Sequence, residues 1–175
     1  INGVISAATI EARNRGLNVL GCQGGFKGLL DQGSRALVNL EIKDVANMYN
    51  QGGSILGTAR CNPLADRENS DKLRSIFNSS QIDKLIVIGG EGSSYLSFQI
   101  AKQYPEIAVV HVPKTIDNDL VLPLNYSSFV FETARFAGTR IIDTLMLDAK
   151  TCQRWFVVTS MGRRAGFLAM GLGIA

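Results

Sequence analysis

The chain is poor in the residues that would mark a special environment. Its three cysteines, Cys22, Cys61 and Cys152, are odd in number, far apart and outside any metal-ligand spacing. This argues against a disulfide framework or a zinc finger and fits the reduced thiols of a cytosolic protein. Charge of one sign is equally scarce. A net charge of +3, with no Lys/Arg run and no interleaving of aromatic and basic residues, gives no basis for a nucleic-acid partner. There is no signal-peptide pattern and no apolar run of about 18 residues that would span a membrane. A Gly-x-x-x-x-Gly-Lys-Ser/Thr loop is missing, which argues against a P-loop enzyme, and no Gly-x-Ser-x-Gly elbow is found.

What remains is an ordinary soluble composition, with 46% hydrophobic and 19% charged residues in 175, enough for one domain with a sizeable core. Strand and helix patterns alternate along it. Helices are expected at 3–15, 43–49, 66–78 (with Asp66 or Asn69 as cap), 94–103, 132–148 and 166–175. Strands are expected at 17–22, 54–56, 84–88, 107–112 and 154–159. Continuous apolar strands between helices predict an α/β fold, a three-layer, mostly parallel Rossmann-like sheet with helices on both faces. His111, inside a strand pattern, is expected in or near the core. Trp155, Phe156, Phe129 and Phe131 are expected to pack rather than to stack on a ligand. The chain opens at Ile1, and Asn2-Gly3-Val4-Ile5 reads as a helix start whose preceding strand is absent. Ala175 falls inside another helix pattern, so the expectation is a fragment incomplete at both ends.

The chemistry gathers in three loops at predicted strand ends, where open α/β sheets bind ligands. The run Val112-Pro113-Lys114-Thr115-Ile116-Asp117-Asn118-Asp119 sets a lysine, a hydroxyl and two carboxylates within one stiffened turn. Asp117 is the candidate base that accepts the proton of an attacking hydroxyl, and Lys114 the cation offsetting a transferring phosphoryl group. Thr115 is a donor to phosphate or sugar oxygen, and Asp119 orients the cluster. The other reading is a turn whose carboxylates cap backbone N–H groups. The second loop is Gly89-Gly90-Glu91-Gly92-Ser93. Its glycines let backbone N–H groups approach a phosphate at a helix start, and Glu91 suits an accompanying Mg²⁺. A tight turn with an exposed glutamate is the plainer alternative. The third is Met161-Gly162-Arg163-Arg164, where Arg163 suits phosphate by its planar guanidinium and Arg164 reads as a surface charge.

Five segments in register make the chain resemble a bacterial-type 6-phosphofructokinase over nearly all of its length. They are Gly52-Gly53-Ser54-Ile55-Leu56-Gly57-Thr58-Ala59-Arg60, Gly89 to Ser93, Pro113 to Asp119, Gln153-Arg154 and Met161-Gly162-Arg163. The resemblance implies a cytoplasmic, glycolytic, allosteric enzyme that moves a terminal phosphoryl group to the 1-hydroxyl of fructose 6-phosphate with Mg²⁺. It implies Asp117 as base, Thr115 beside the transferred group, and Arg163 near the reacting phosphate and sugar. Met161 and Gly162 flank the sugar, with Asp119 also on the acceptor side, and Arg154 reaches the sugar phosphate of a neighbouring subunit in a homo-oligomer. Arg60, Gly90, Glu91, Gly92 and Ser93 fall on the donor side. Glu91, at the metal position, replaces the family's usual Asp. Gly92 goes with ATP, because Asp there would crowd the nucleotide, whereas Lys114 occurs with either donor, so ATP is expected, with pyrophosphate as the alternative. The resemblance also implies that residues 1–175 are a partial donor-binding domain without its sugar-phosphate half, inactive alone. A non-catalytic regulatory subunit of the same fold is a further alternative, against which stand the intact Asp117, Thr115 and Arg163.

Overall fold

A computed structural model describes residues 1–174 as seven helices and four strands. They run α1 (Asn2–Asn14), β1 (Leu20–Cys22), α2 (Gly25–Gln32), β2 (Leu37–Asn39), α3 (Ile42–Val45), α4 (Arg67–Ser79), β3 (Lys84–Gly89), α5 (Glu91–Gln103), β4 (Ala108–Pro113), α6 (Phe131–Cys152) and α7 (Phe167–Ile174). Short 3₁₀ turns lie at Gly33–Ala36 and Pro123–Asn125. Ala175, the last residue of the expected final helix, lies outside the described residues. The chain divides into two compact units, one of residues 1–88 and 95–110, the other of 89–94 and 111–175.

The first unit is built on two apolar clusters. Leu73, Ile76 and Phe77 of α4 meet Leu96 and Ile100 of α5, with Leu29, Ala36, Tyr104 and Ile107 completing the cluster. These α4 residues recur at helical spacing, so one face of an otherwise polar helix is buried. Asp66 caps α4, its carboxylate accepting from Asn69 N at 2.7 Å. Tyr104 is fully buried and donates from its hydroxyl to Ser70 O at 2.8 Å, satisfying its polar end inside the core. The second cluster joins Ile5, Leu40, Val45 and Met48.

The expected α/β class is observed, with its parallel element in β3 and β4. Ala108 N donates to Asp83 O and Lys114 N to Gly89 O, so the register advances equally on both strands and they run in the same direction. β1 and β2 differ from the expected parallel arrangement, pairing antiparallel with Leu20 opposite Asn39 and Cys22 opposite Leu37. The connection between them, α2 and one 3₁₀ turn over residues 23–36, returns the chain on itself. Neither α2 nor β2 is evident in the sequence pattern. Gly28, in the middle of α2, is required there because a Cβ would stand 1.8 Å from Gln23 O.

Two expected strands do not form. At 54–56 the backbone is taken by Asn2, a buried residue whose Oδ1 accepts from Ile55 N at 2.9 Å while its Nδ2 donates to Gly52 O. A Ser54–Gly57 turn closes the segment. At 154–159 the chain has no strand to pair with among the described residues, and Trp155 and Val157 are 98% and 96% exposed. Trp155, Phe156 and Phe129 are exposed, contrary to expectation, the first two on this unpaired segment; Phe131 is buried as expected. The helix expected at 43–49 shortens to α3, after which residues 46–50 continue as turns. The three cysteines are free thiols, and burial pushes Cys22 up to about 11.

Replacing Gly28 with alanine forces α2 off Gln23, so Gly28→Ala is expected to destabilise the protein by about 1–3 kcal/mol or more in chemical unfolding.

Candidate active site

All of the following geometry lies within the second unit. β3 ends at Gly89, whose carbonyl accepts from Lys114 N at 2.8 Å, so the glycine loop and the Lys114–Asp119 loop leave their strands side by side. His111 fastens the same carbonyl, its ring Nε2 lying 3.0 Å from Gly89 O. A carbonyl only accepts, so the proton sits on Nε2. Half-buried as expected, the histidine is a brace and not a reacting group. A Cβ on Gly89 would lie 2.2 Å from Ser93 Oγ, which fixes a glycine where α5 begins. Gly90 faces Thr115, with 3.6 Å between its built Cβ and that of the threonine. Space beside Gly92 is open, with nothing within 4 Å of a Cβ placed there.

The second loop is tightly organised. Thr115 is buried and its Oγ1 accepts from Asp117 N at 3.0 Å, a short turn that presents Asp117 half-exposed. The hydroxyl proton of Thr115 is not spent in that bond and is available for an acceptor. Asn118 takes a left-handed conformation, φ 53°, which its short polar side chain tolerates. Its Oδ1 accepts from Ser128 N at 2.8 Å, and Ser128 Oγ lies 2.9 Å from Thr115 O. Asp119 Oδ1 is buried without a hydrogen-bond partner. No ion pair engages Asp117, Asp119 or Lys114 among the described residues, so their charges face the loop's surroundings uncompensated.

Arg163 approaches the glycine loop, with Nη1 3.7 Å from Glu91 Oε2. Both side chains are more than half exposed, so the pair is worth little in stability and is easily parted by a ligand. The turn that carries Arg163 depends on Gly162, where a Cβ would fall 2.3 Å from Ala165 O; Met161 is 71% exposed beside it. The structure thus brings Gly90, Glu91, Gly92, Ser93, Lys114, Thr115, Asp117, Asp119, Met161, Gly162 and Arg163 into one unit. Arg154, also in that unit, is exposed on the unpaired segment. Arg60 lies in the first unit, in an exposed loop. The buried Ser128 and the acceptor Asn118 carry no catalytic chemistry and escape a search for charged motifs. Their signal is an asparagine inside a run of carboxylates.

Magnesium bound with a polyphosphate draws most of its oxygen ligands from phosphate and water, so one or two carboxylates suffice. No group of three or more metal-binding side chains exists among the described residues. The exposed Glu91 carboxylate at a helix start beside open space fits that limited role.

One unit of this α/β fold thus holds a carboxylate and a hydroxyl in one turn, and an arginine paired with the glycine-rich start of α5. The family model of phosphofructokinase matches residues 1–175, and the chain belongs to the phosphofructokinase family. Among curated relatives, a pyrophosphate–fructose 6-phosphate 1-phosphotransferase of Thermotoga maritima is 45% identical over all of this chain and 42% of its own length. An ATP-dependent 6-phosphofructokinase of Mycobacterium leprae is 36% identical over all of this chain and half of its own. The solved T-state phosphofructokinase of Pichia pastoris matches with a TM-score of 0.87 and 29% identity, over 99% of this chain and 18% of that one. The chain therefore spans half or less of the length of these relatives.

Between the second loop and α6, Val130 is held at φ 79°, a costly conformation for a β-branched residue. Val130→Gly removes that strain and is expected to raise the stability by about 1 kcal/mol, read as a higher thermal midpoint.

Proposed function

We propose that the protein containing this chain transfers a terminal phosphoryl group to the 1-hydroxyl of fructose 6-phosphate. The observation that carries this reading is the turn in which Thr115 Oγ1 holds Asp117 N, pinned by Lys114 N beside the glycine loop. It presents an uncompensated carboxylate next to a site suited to phosphate. Asp117 accepts the hydroxyl proton as the oxygen attacks the terminal phosphorus, and the bond from that phosphorus to the donor's bridging oxygen breaks. Arg163 and Lys114 offset charge on the transferring group, and Thr115 donates to one of its oxygens. Backbone groups of Gly90, Gly92 and Ser93 receive the donor's phosphates at the start of α5. Glu91 would hold Mg²⁺, which would supply charge neutralisation at the donor's phosphates. Asp119, Met161 and Gly162 border the sugar, and Arg154, which is exposed, serves a neighbouring subunit of a homo-oligomer. We place the protein in the cytoplasm on its free thiols.

Two observations bear on the donor. Gly92 leaves open space that admits ATP, the donor expected from the sequence. Pyrophosphate is smaller and enters wherever ATP does, so an open glycine permits both. The relatives at 45% identity, from Thermotoga maritima and Naegleria fowleri, are pyrophosphate enzymes, and the ATP enzyme cited above stands at 36%. With Lys114 also suited to pyrophosphate, we take pyrophosphate as the donor and ATP as the second reading.

A donor assay on the full-length protein with fructose 6-phosphate and Mg²⁺ decides this. Turnover with pyrophosphate that survives Gly92→Asp is the expected result; turnover with ATP alone, lost in Gly92→Asp, establishes the ATP reading. Asp117→Asn is expected to lower kcat by about 10²–10⁴ with either donor. Unchanged turnover in that variant would remove Asp117 from the role of base.

A further inference from the structure

We propose that Ser128 and Asn118 are positioning residues for the proton-accepting carboxylate of Asp117, a proposal that rests on the reading of Asp117 as base. Ser128 is 2% exposed, on a segment that precedes α6 and is ten residues beyond Asn118 in sequence. Its backbone N–H donates to Asn118 Oδ1 at 2.8 Å. Its hydroxyl has one proton and two acceptors in reach, Thr115 O at 2.9 Å and Asn118 Oδ1 at 3.2 Å. Next to it, Phe129 N donates to Pro113 O, and Phe129 bridges to Lys114 as a short parallel pair. The contacts therefore grip the loop on both sides of Asp117, at Pro113–Thr115 before it and at Asn118 after it. Asp117 itself has one bond within this arrangement, from its N–H to Thr115 Oγ1, and its carboxylate has no hydrogen bond among the described residues. Everything that sets where that carboxylate points is supplied by its neighbours.

The choice of residue at 118 follows from the same geometry. The position needs an acceptor for the Ser128 N–H and a backbone tolerant of φ 53°. Aspartate and asparagine both qualify. Only asparagine accepts without adding a third negative charge between Asp117 and Asp119, which would disfavour the ionised base. A neutral acceptor between two carboxylates thus meets the structural need without adding a charge beside Asp117.

A double-mutant cycle on the full-length protein separates positioning from mere support of the fold. Ser128→Ala removes the hydroxyl. Asn118→Gly removes the acceptor and keeps the backbone relaxed at positive φ. Each is expected to lower kcat about tenfold or more while both KM values stay within about twofold, because binding persists and only the attack geometry is lost. Combined with Asp117→Asn, which retains slow residual turnover, neither is expected to lower the rate further, since they act through the carboxylate already removed. An equal loss in the Asp117→Asn background would show that Ser128 and Asn118 act on the fold at large and would overturn the proposal. So would normal kcat in both single variants while Asp117→Asn is impaired. Full turnover of Asp117→Asn alone would overturn the assignment of the base, and the positioning role with it.

Discussion

A buried carbonyl has to be paired, and that of Thr115 is paired by a serine from another stretch of chain. Leaving such a group without a partner costs about 1–3 kcal/mol, enough to make the Ser128–Thr115 contact a condition on the loop's shape. Once it is met, Asn118 receives the Ser128 N–H, Thr115 Oγ1 is left to hold Asp117 N, and Asp117 is presented at the crest of the turn. The other end of the loop is fixed by Lys114 N on Gly89 O, the carbonyl that His111 also braces. Two strand ends and one distant serine therefore determine where a single carboxylate stands.

Against this rigid element the charged side chains are loosely held. Glu91 and Arg163 meet at 3.7 Å in the open, and Lys114 is without an ion-pair partner among the described residues. Such an arrangement suits phosphoryl transfer, in which protein charges must exchange one another for substrate oxygens and metal without a large penalty. The loop's backbone is held by several hydrogen bonds, whereas Glu91 and Arg163 share one exposed ion pair. The backbone strain at Val130 lies immediately after the clamp, where the chain must turn sharply from Ser128 into α6.

The sequence was legible where one residue type has one physical use. Asp66 capping α4, the apolar run of β3 and the glycines beside the start of α5 follow from local pattern and are observed. It was illegible where partners distant in sequence decide. Residues 54–56 read as a strand until Asn2 takes the Ile55 N–H, and 154–159 are an apolar run with no strand to pair with among the described residues. The short α2 was hidden because its glycines read as loop. Around the Lys114–Asp119 loop, charged and glycine residues could be named from the sequence, while Ser128 could not, since a serine ten residues beyond Asn118 looks like any surface serine until its burial is seen.

A crystal structure of the full-length protein with fructose 6-phosphate tests the central claim most directly. The account predicts a carboxylate oxygen of Asp117 within about 3 Å of the sugar 1-hydroxyl, with the Ser128 contacts to Thr115 and Asn118 intact. A sugar bound with its 1-hydroxyl turned to another group, and Asp117 facing solvent, would contradict it.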